Sequence, residues 1–150
     1  MKNILDPQVK QEILVRIDKF ALQNQRKWGK MSHNQALRHM TMAFQIPMNE
    51  LTPTRGYKRL PPKWLMKYFL INTKPPKARA ETFAEINMVK LDIKPADFDS
   101  ERKNLKNYVE KFSKADKLIP ENLYGGRFNR DDWGKLMYNH TDHHLRQFGA

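Results

Sequence analysis

Four stretches of this sequence repeat apolar residues at intervals of three and four, a period that commits the chain to helices with one buried side each. In the first, Val9, Ile13, Ile17 and Phe20 form a stripe behind Asp6-Pro7. Asp6 is a capping residue, and proline suits the first helical position because its missing amide would have no partner there. This helix is expected to fade around Asn24. The second opens at Ser32, with Gln35 three residues on in a capping-box pattern, and buries Ala36, Met40, Ala43 and Phe44 before Pro47 ends it. The third opens near Asp97 and carries Leu105, Tyr108, Val109 and Phe112 between lysines and glutamates. The fourth opens near Asn129, with Asp132 in its first turn where a negative charge suits the helix dipole. Trp133, Leu136 and Met137 begin its inner face, and His140 and His144 continue it.

The stretch from about Leu51 to Pro95 is less regular. "PPKWLMKYFL" predicts a short helix with Trp64, Leu65, Tyr68 and Phe69 on its packing side. "NTKPPKARAET" reads as a loop, and "VKLDIK" alternates apolar and charged residues as an extended segment does, without a convincing partner strand. The Gly125-Gly126 pair marks a turn before the last helix. There are no repeats. With 150 residues, 39% of them apolar, the chain is long enough to close one core. The expectation is therefore a single all-α domain over residues 1–150: a four-helix bundle with an elaborated crossover between its second and third helices.

Charge and composition narrow the chemistry. Twenty-eight lysines and arginines against sixteen acids leave a net charge of +12, which attracts anions. The basic residues are scattered, as on an ordinary solvated surface. Cysteine is absent, so disulfides, thiolate zinc sites and cysteine nucleophiles are excluded, and any metal must rest on nitrogen and oxygen ligands. Lys2, Asp6, Lys10 and Glu12 interrupt any signal-peptide pattern, and the longest uncharged run, "MTMAFQIPMN", is too short to span a bilayer. A soluble, cytoplasmic protein with no membrane partner is expected.

The five histidines fall into two groups: His33 and His39 in "MSHNQALRHM", and His140, His143 and His144 in "HTDHHLRQFG". Residues four apart on a helix differ by about 40° in rotation and about 6 Å in rise, so His140 and His144 can reach one cation from a single backbone. Neutral imidazole suits zinc, nickel, copper and iron. A third ligand must come from a facing helix. His39 borders an apolar face and is the candidate, whereas His33 belongs to the first turn, nearer solvent. His143, three residues after His140, is an alternative to His144. Histidines satisfied by backbone carbonyls at a bundle end explain the same spacing without a metal.

At these residues the sequence resembles the DinB/YfiT-like family. "ALRHM", followed far downstream by "HTDHHLRQ", is similar to that family's pattern of one histidine from the second helix and an H-x-x-x-H pair from the last. "WGKLMYNHTDHHLRQFG", "KWLMKYFL" and "KPPKARAET" look like a subfamily labelled only a domain of unknown function. The resemblance implies an up-down-down-up bundle around a divalent zinc or nickel ion held by His39, His140 and His144. It also implies chemistry in which the metal activates water or a low-molecular-weight thiol, such as bacillithiol or mycothiol, for hydrolysis, transfer or isomerisation. A homodimer through helix faces is a further implication. Fold alone does not transfer the substrate.

The leading expectation is thus a metal-dependent enzyme, a hydrolase or thiol S-transferase, acting on a small molecule. Arg38 and Arg146 are candidates to grip a substrate carboxylate, weighed against solvated helix surface. Asp142, two residues after His140, should point away from a metal and reads as a surface charge. Gln35 could orient a ligand but has a cap to make. The alternative is a non-catalytic basic module for nucleic acid or other anions, though no zinc-finger spacing, RNP-like strand or recognition helix supports it. A metal-free structural bundle is a third reading. Phosphate-cradling loops, dinucleotide fingerprints and nucleophile elbows are absent, and Ser32, Ser100 and Ser113 all fall at or inside helices.

Overall fold

A computed structural model describes residues 1–54, 60–77, 82–91 and 94–150. It is mostly helical. The elements in chain order are α1 (Pro7–Lys19), α2 (His33–Gln45), α3 (Lys63–Asn72), a 3-10 turn (Ala84–Ile86), α4 (Phe98–Lys114), β1 (Glu121–Asn122), β2 (Gly126–Arg127) and α5 (Arg130–Gln147).

Local chemistry sets the helix ends. Asp6 accepts hydrogen bonds from the amides of Gln8 and Val9, with Pro7 beside it at the start of α1. Ser32 and Gln35 form a reciprocal capping box on α2, and Asn129 and Asp132 form another on α5. Asp97 caps α4 through the Ser100 amide. Helix α1 closes at Phe20, earlier than Asn24, because Asn24 turns its side chain back to accept from the Ala21 amide.

The packing follows the four stripes. Ile13, Ile17, Phe20, Ala36, Met40, Phe44, Leu105, Val109, Phe112, Trp133 and Met137 are all buried in one cluster. Both α1 and α2 pack on α4 and on α5, so the four longer helices close a ring around that cluster. Phe44 meets Phe112 edge-on across α2 and α4, with ring centroids 5.4 Å apart. Among the described residues no helix is long and apolar enough to cross a membrane.

Two expectations in the crossover need correction. The helix in "PPKWLMKYFL" forms, but Trp64, Tyr68 and Phe69 face solvent, with Trp64 72% exposed. Polar anchors decide its rotation. Lys67 reaches Asp132 of α5 at 2.6 Å and the Arg127 carbonyl at 2.9 Å, while Asn139 of α5 donates to the Leu70 carbonyl at 3.0 Å. Ile71 therefore enters the core, with Leu70 packed against it, and the aromatics turn outward. In "VKLDIK", Val89–Leu91 belongs to a helical turn in which the Leu91 amide donates to the Asn87 carbonyl, and residues 92–93 lie outside the described residues. The Gly125-Gly126 turn closes a two-stranded antiparallel hairpin, pairing Glu121 with Arg127 and Asn122 with Gly126. Gly126 has φ +72°, and the Asn122 side chain accepts from the amides of Tyr124 and Gly125.

Candidate metal centre

Helix α2 carries His39 on its buried side, and α5 carries His140 and His144 one turn apart on the face that meets α2. The three rings come together. Ring centroids are 4.9 Å apart for His39 and His140, 4.7 Å for His39 and His144, and 4.7 Å for His140 and His144. One nitrogen from each lies within 4.8 Å of the others. His39 is 3% exposed and His144 8%, while His140 is half-buried.

Hydrogen bonds fix which nitrogens are available. Nδ1 of His39 sits 2.8 Å from the Ile86 carbonyl. A carbonyl only accepts, so Nδ1 carries the proton and Nε2 the lone pair. Nδ1 of His144 sits 2.9 Å from Oε1 of Gln147, which assigns that ring the same tautomer. The Nε2 atoms of His39 and His140 are 3.0 Å apart. With Nε2 of His39 an acceptor, this is a hydrogen bond when His140 carries its proton on Nε2. Nδ1 of His140 is buried and has no partner among the described residues. Of the three rings, this one alone has no outer acceptor to hold its tautomer.

Burial is the main force on these rings. It penalises the imidazolium, pushing His39 down to about 4, and holds His140 and His144 well below the ordinary value. Repulsion between protonated rings adds to the shift of His140, from His144 and His39 in turn. Neutral imidazoles are the donors that a borderline divalent cation takes, and His140 offers its Nε2 lone pair once its proton moves to Nδ1. Metal–nitrogen bonds of about 2.0–2.1 Å in tetrahedral geometry separate ligand nitrogens by about 3.3 Å. The His39–His140 pair, at 3.0 Å, is already near that spacing, and all three nitrogens lie within 4.8 Å of one another, so the residues fit such an ion with the rings drawn inward.

The remaining candidates have other placements. His143 is not one of the three converging nitrogens: its ring packs on Trp28 at 5.7 Å and edge-on to His144 at 5.0 Å. His33, the first residue of α2, bonds the Asn24 carbonyl at 2.7 Å and packs against Phe20 and Phe148. Gln35 makes its cap, and its amide also donates to the Met88 carbonyl at 3.3 Å, steadying the segment that bears Ile86.

Asp142 is not a surface charge. It is 8% exposed and bridges Arg16 of α1 and Arg146 of α5, each at 2.8 Å. Burial alone would raise its pKa, but the hydrogen bonds from both arginines win and hold it below the ordinary carboxylate value. Arg146 donates its Nε–H to Asp142, and its Nη2 is buried and without a partner among the described residues. Arg38 is half-buried, with no hydrogen bond or ion pair among the described residues, and helical geometry turns it about 100° from His39.

Sequence reasoning missed the outer acceptors. The Ile86 carbonyl belongs to the 3-10 turn, and a backbone oxygen leaves no mark in residue identity. Gln147 did leave a signal: it follows His144 by three residues and so shares its face. Two surface depressions, of 260 and 420 Å³, are lined by Lys67 and Asp132 and by Leu118 and Arg130 respectively. Both adjoin the first turn of α5, at Asp132 and Trp133, and neither is lined by a histidine.

A family model described as Protein of unknown function (DUF1569) matches residues 3–150. No curated protein matches the chain. No solved structure matches it.

Proposed function

The chain belongs to the DUF1569 family, and on that premise we propose that it is a metal-dependent enzyme whose centre is His39, His140 and His144. The observation that carries the reading is the convergence of three neutral imidazoles from two helices, His39 and His144 buried and His140 half-buried, two of them with their proton directed outward to Ile86 and Gln147. An isolated cluster of buried polar rings is costly to keep without a ligand for its lone pairs. Zinc or nickel suits the donor set.

A divalent cation at such a site supplies Lewis acidity, which lowers the pKa of water to about 7 or favours a thiol as its thiolate. The chain's own residues would perform the rest. His39 and His144, held by their outer acceptors, orient two donors, and half-buried His140 stands where solvent and substrate arrive. With no cysteine, a thiol must come from a small molecule. Arg38 and Arg146 are the candidates to bind a substrate carboxylate. The pairing of one α2 histidine with an H-x-x-x-H pair on the last helix also supports a four-helix DinB/YfiT-like fold type and the hydrolase or thiol-transfer chemistry that goes with it. Pairing of two copies through helix faces belongs to the same proposal.

The test is metal analysis of protein purified without a nickel column, beside a His140→Ala variant. Wild-type protein should carry close to one zinc or nickel ion per chain and the variant a small fraction of that. Equal and negligible metal in both overturns the proposal.

A second reading, a basic module for nucleic acid, has one observation in its favour: Trp64, Tyr68 and Phe69 are exposed on α3 beside Lys63, as a stacking platform requires. Co-purifying absorbance at 260 nm and salt-sensitive retention on heparin would support it; their absence would remove it.

A further inference from the structure

The end of α5 and the loop before α2 meet at one side chain. Gln147, the last residue of α5, is 3% exposed. Its amide nitrogen donates to the Trp28 carbonyl at 2.7 Å, and its amide oxygen lies 2.9 Å from Nδ1 of His144. Its own carbonyl accepts from the Lys27 amide at 2.8 Å, so backbone and side chain are both tied to the same loop.

A glutamine amide can be turned either way round, and the Trp28 carbonyl removes the choice. Reversed, it would set two acceptor oxygens against each other at 2.7 Å. The amide oxygen therefore faces His144, and Nδ1 of that ring must carry a proton. The Nε2 lone pair is then left for the interior of the cluster.

Gly29 makes this contact possible. A Cβ at Gly29 would lie 2.1 Å from the Gln147 amide nitrogen, and the residue has φ +79°, a conformation costly to other residues. The loop itself is stapled. Arg26 donates to the carbonyls of Lys30 and Met31, Asn24 accepts from the Ala21 amide, and His33 bonds the Asn24 carbonyl. The position of the Trp28 oxygen is thus set by the loop and not by His39, His140 or His144.

We propose that Gln147 is the positioning residue of the metal centre: locked by the Trp28 carbonyl across Gly29, it holds His144 in the Nδ1-protonated tautomer and aims Nε2 at the ion. This rests on the metal reading for its consequence, while the tautomer is measurable without metal. Outer-shell partners of this kind govern ligand basicity and orientation, and losing one weakens metal binding about 10–100-fold.

The experiment uses the full chain and three forms of it: wild type, Gln147→Leu and Gln147→Glu. Leucine keeps the bulk without an acceptor, and glutamate keeps an acceptor towards His144 while replacing the donor to the Trp28 carbonyl with a second oxygen, so it separates the acceptor from the lock. Long-range proton–nitrogen NMR on chelator-treated protein reads the proton on His144, and competition with a chromophoric chelator reads zinc affinity. Wild type and Gln147→Glu should show the proton on Nδ1. Gln147→Leu should show a mixed or Nε2-protonated ring, and zinc binding about 10–100-fold weaker than wild type at unchanged helical content. A wild-type His144 protonated on Nε2, or a Gln147→Leu ring and zinc affinity indistinguishable from wild type, overturns the proposal. Should wild type bind no zinc while the tautomers behave as expected, the metal reading fails and the assignment of Gln147 as the group that sets His144 stands. If Gln147→Leu does not fold, the comparison of wild type with Gly29→Ala supplies the same readout.

Discussion

Acidification of metal-free protein should cost stability through His39 before most carboxylates titrate. In the unfolded chain this imidazole returns to its ordinary value of 6.5, while burial in the fold holds it at about 4. The folded pKa is the lower one, so between those values the unfolded state binds more protons. Stability is full above 6.5 and is lost as pH falls towards 4. At about pH 5 the unfolded form of this single residue gains RT ln[(1 + 10^1.5)/(1 + 10^−1)], or about 2 kcal/mol relative to neutral pH. For a domain of this length that is a fall in Tm of about 4–8 °C. His140 and His144 are shifted in the same direction for the same cause and make the fall larger. The assay is thermal unfolding by circular dichroism in chelator, at about pH 7.5 and about pH 5, for wild type and His39→Gln. The glutamine should flatten the dependence. A wild-type Tm that is unchanged or higher at the lower pH would refute the claim that these rings are buried and neutral.

Three further outcomes follow from the same geometry. Zinc affinity should be nearly independent of pH between about 6 and 8, because the ligands are already neutral there; a titration in which affinity falls tenfold across that range would contradict it. Asp142→Asn removes the charge that joins Arg16 to Arg146 and should cost about 2 kcal/mol, read by urea unfolding, with zinc stoichiometry unchanged. Asn129→Ala strips the cap and half the capping box from α5 and should cost about 1 kcal/mol by the same measurement.

Much of this was readable along the chain because the forces are short-ranged. A cap acts on amides two or three residues away, so Asp6, Ser32, Asp97 and Asn129 announce their helices. A stripe at intervals of three and four needs only helical geometry to become a face, and His140 and His144 share one for that reason. What residue identity could not carry was orientation between distant segments. Asp142 read as a surface charge because nothing near it in sequence reveals Arg16 of α1. The aromatics of α3 suggested the packing side, yet Lys67 and the Asn139 of another helix set the rotation. The alternatives His143 and His144 differ by one position and by 100° of helix, and only the direction of α2 separates them.

Sequence alone therefore determined the main helices, their capped starts and the imidazoles each could present, since these depend on residues within a turn or two. The tertiary structure decided that His39 meets the α5 pair, that Ile86 and Gln147 hold two rings in the required tautomer, and that Trp28 and Gly29 hold Gln147. Apart from the local Gln147–His144 pair, those contacts join groups separated by tens of residues or more, and their strength depends on the burial that the packed core creates.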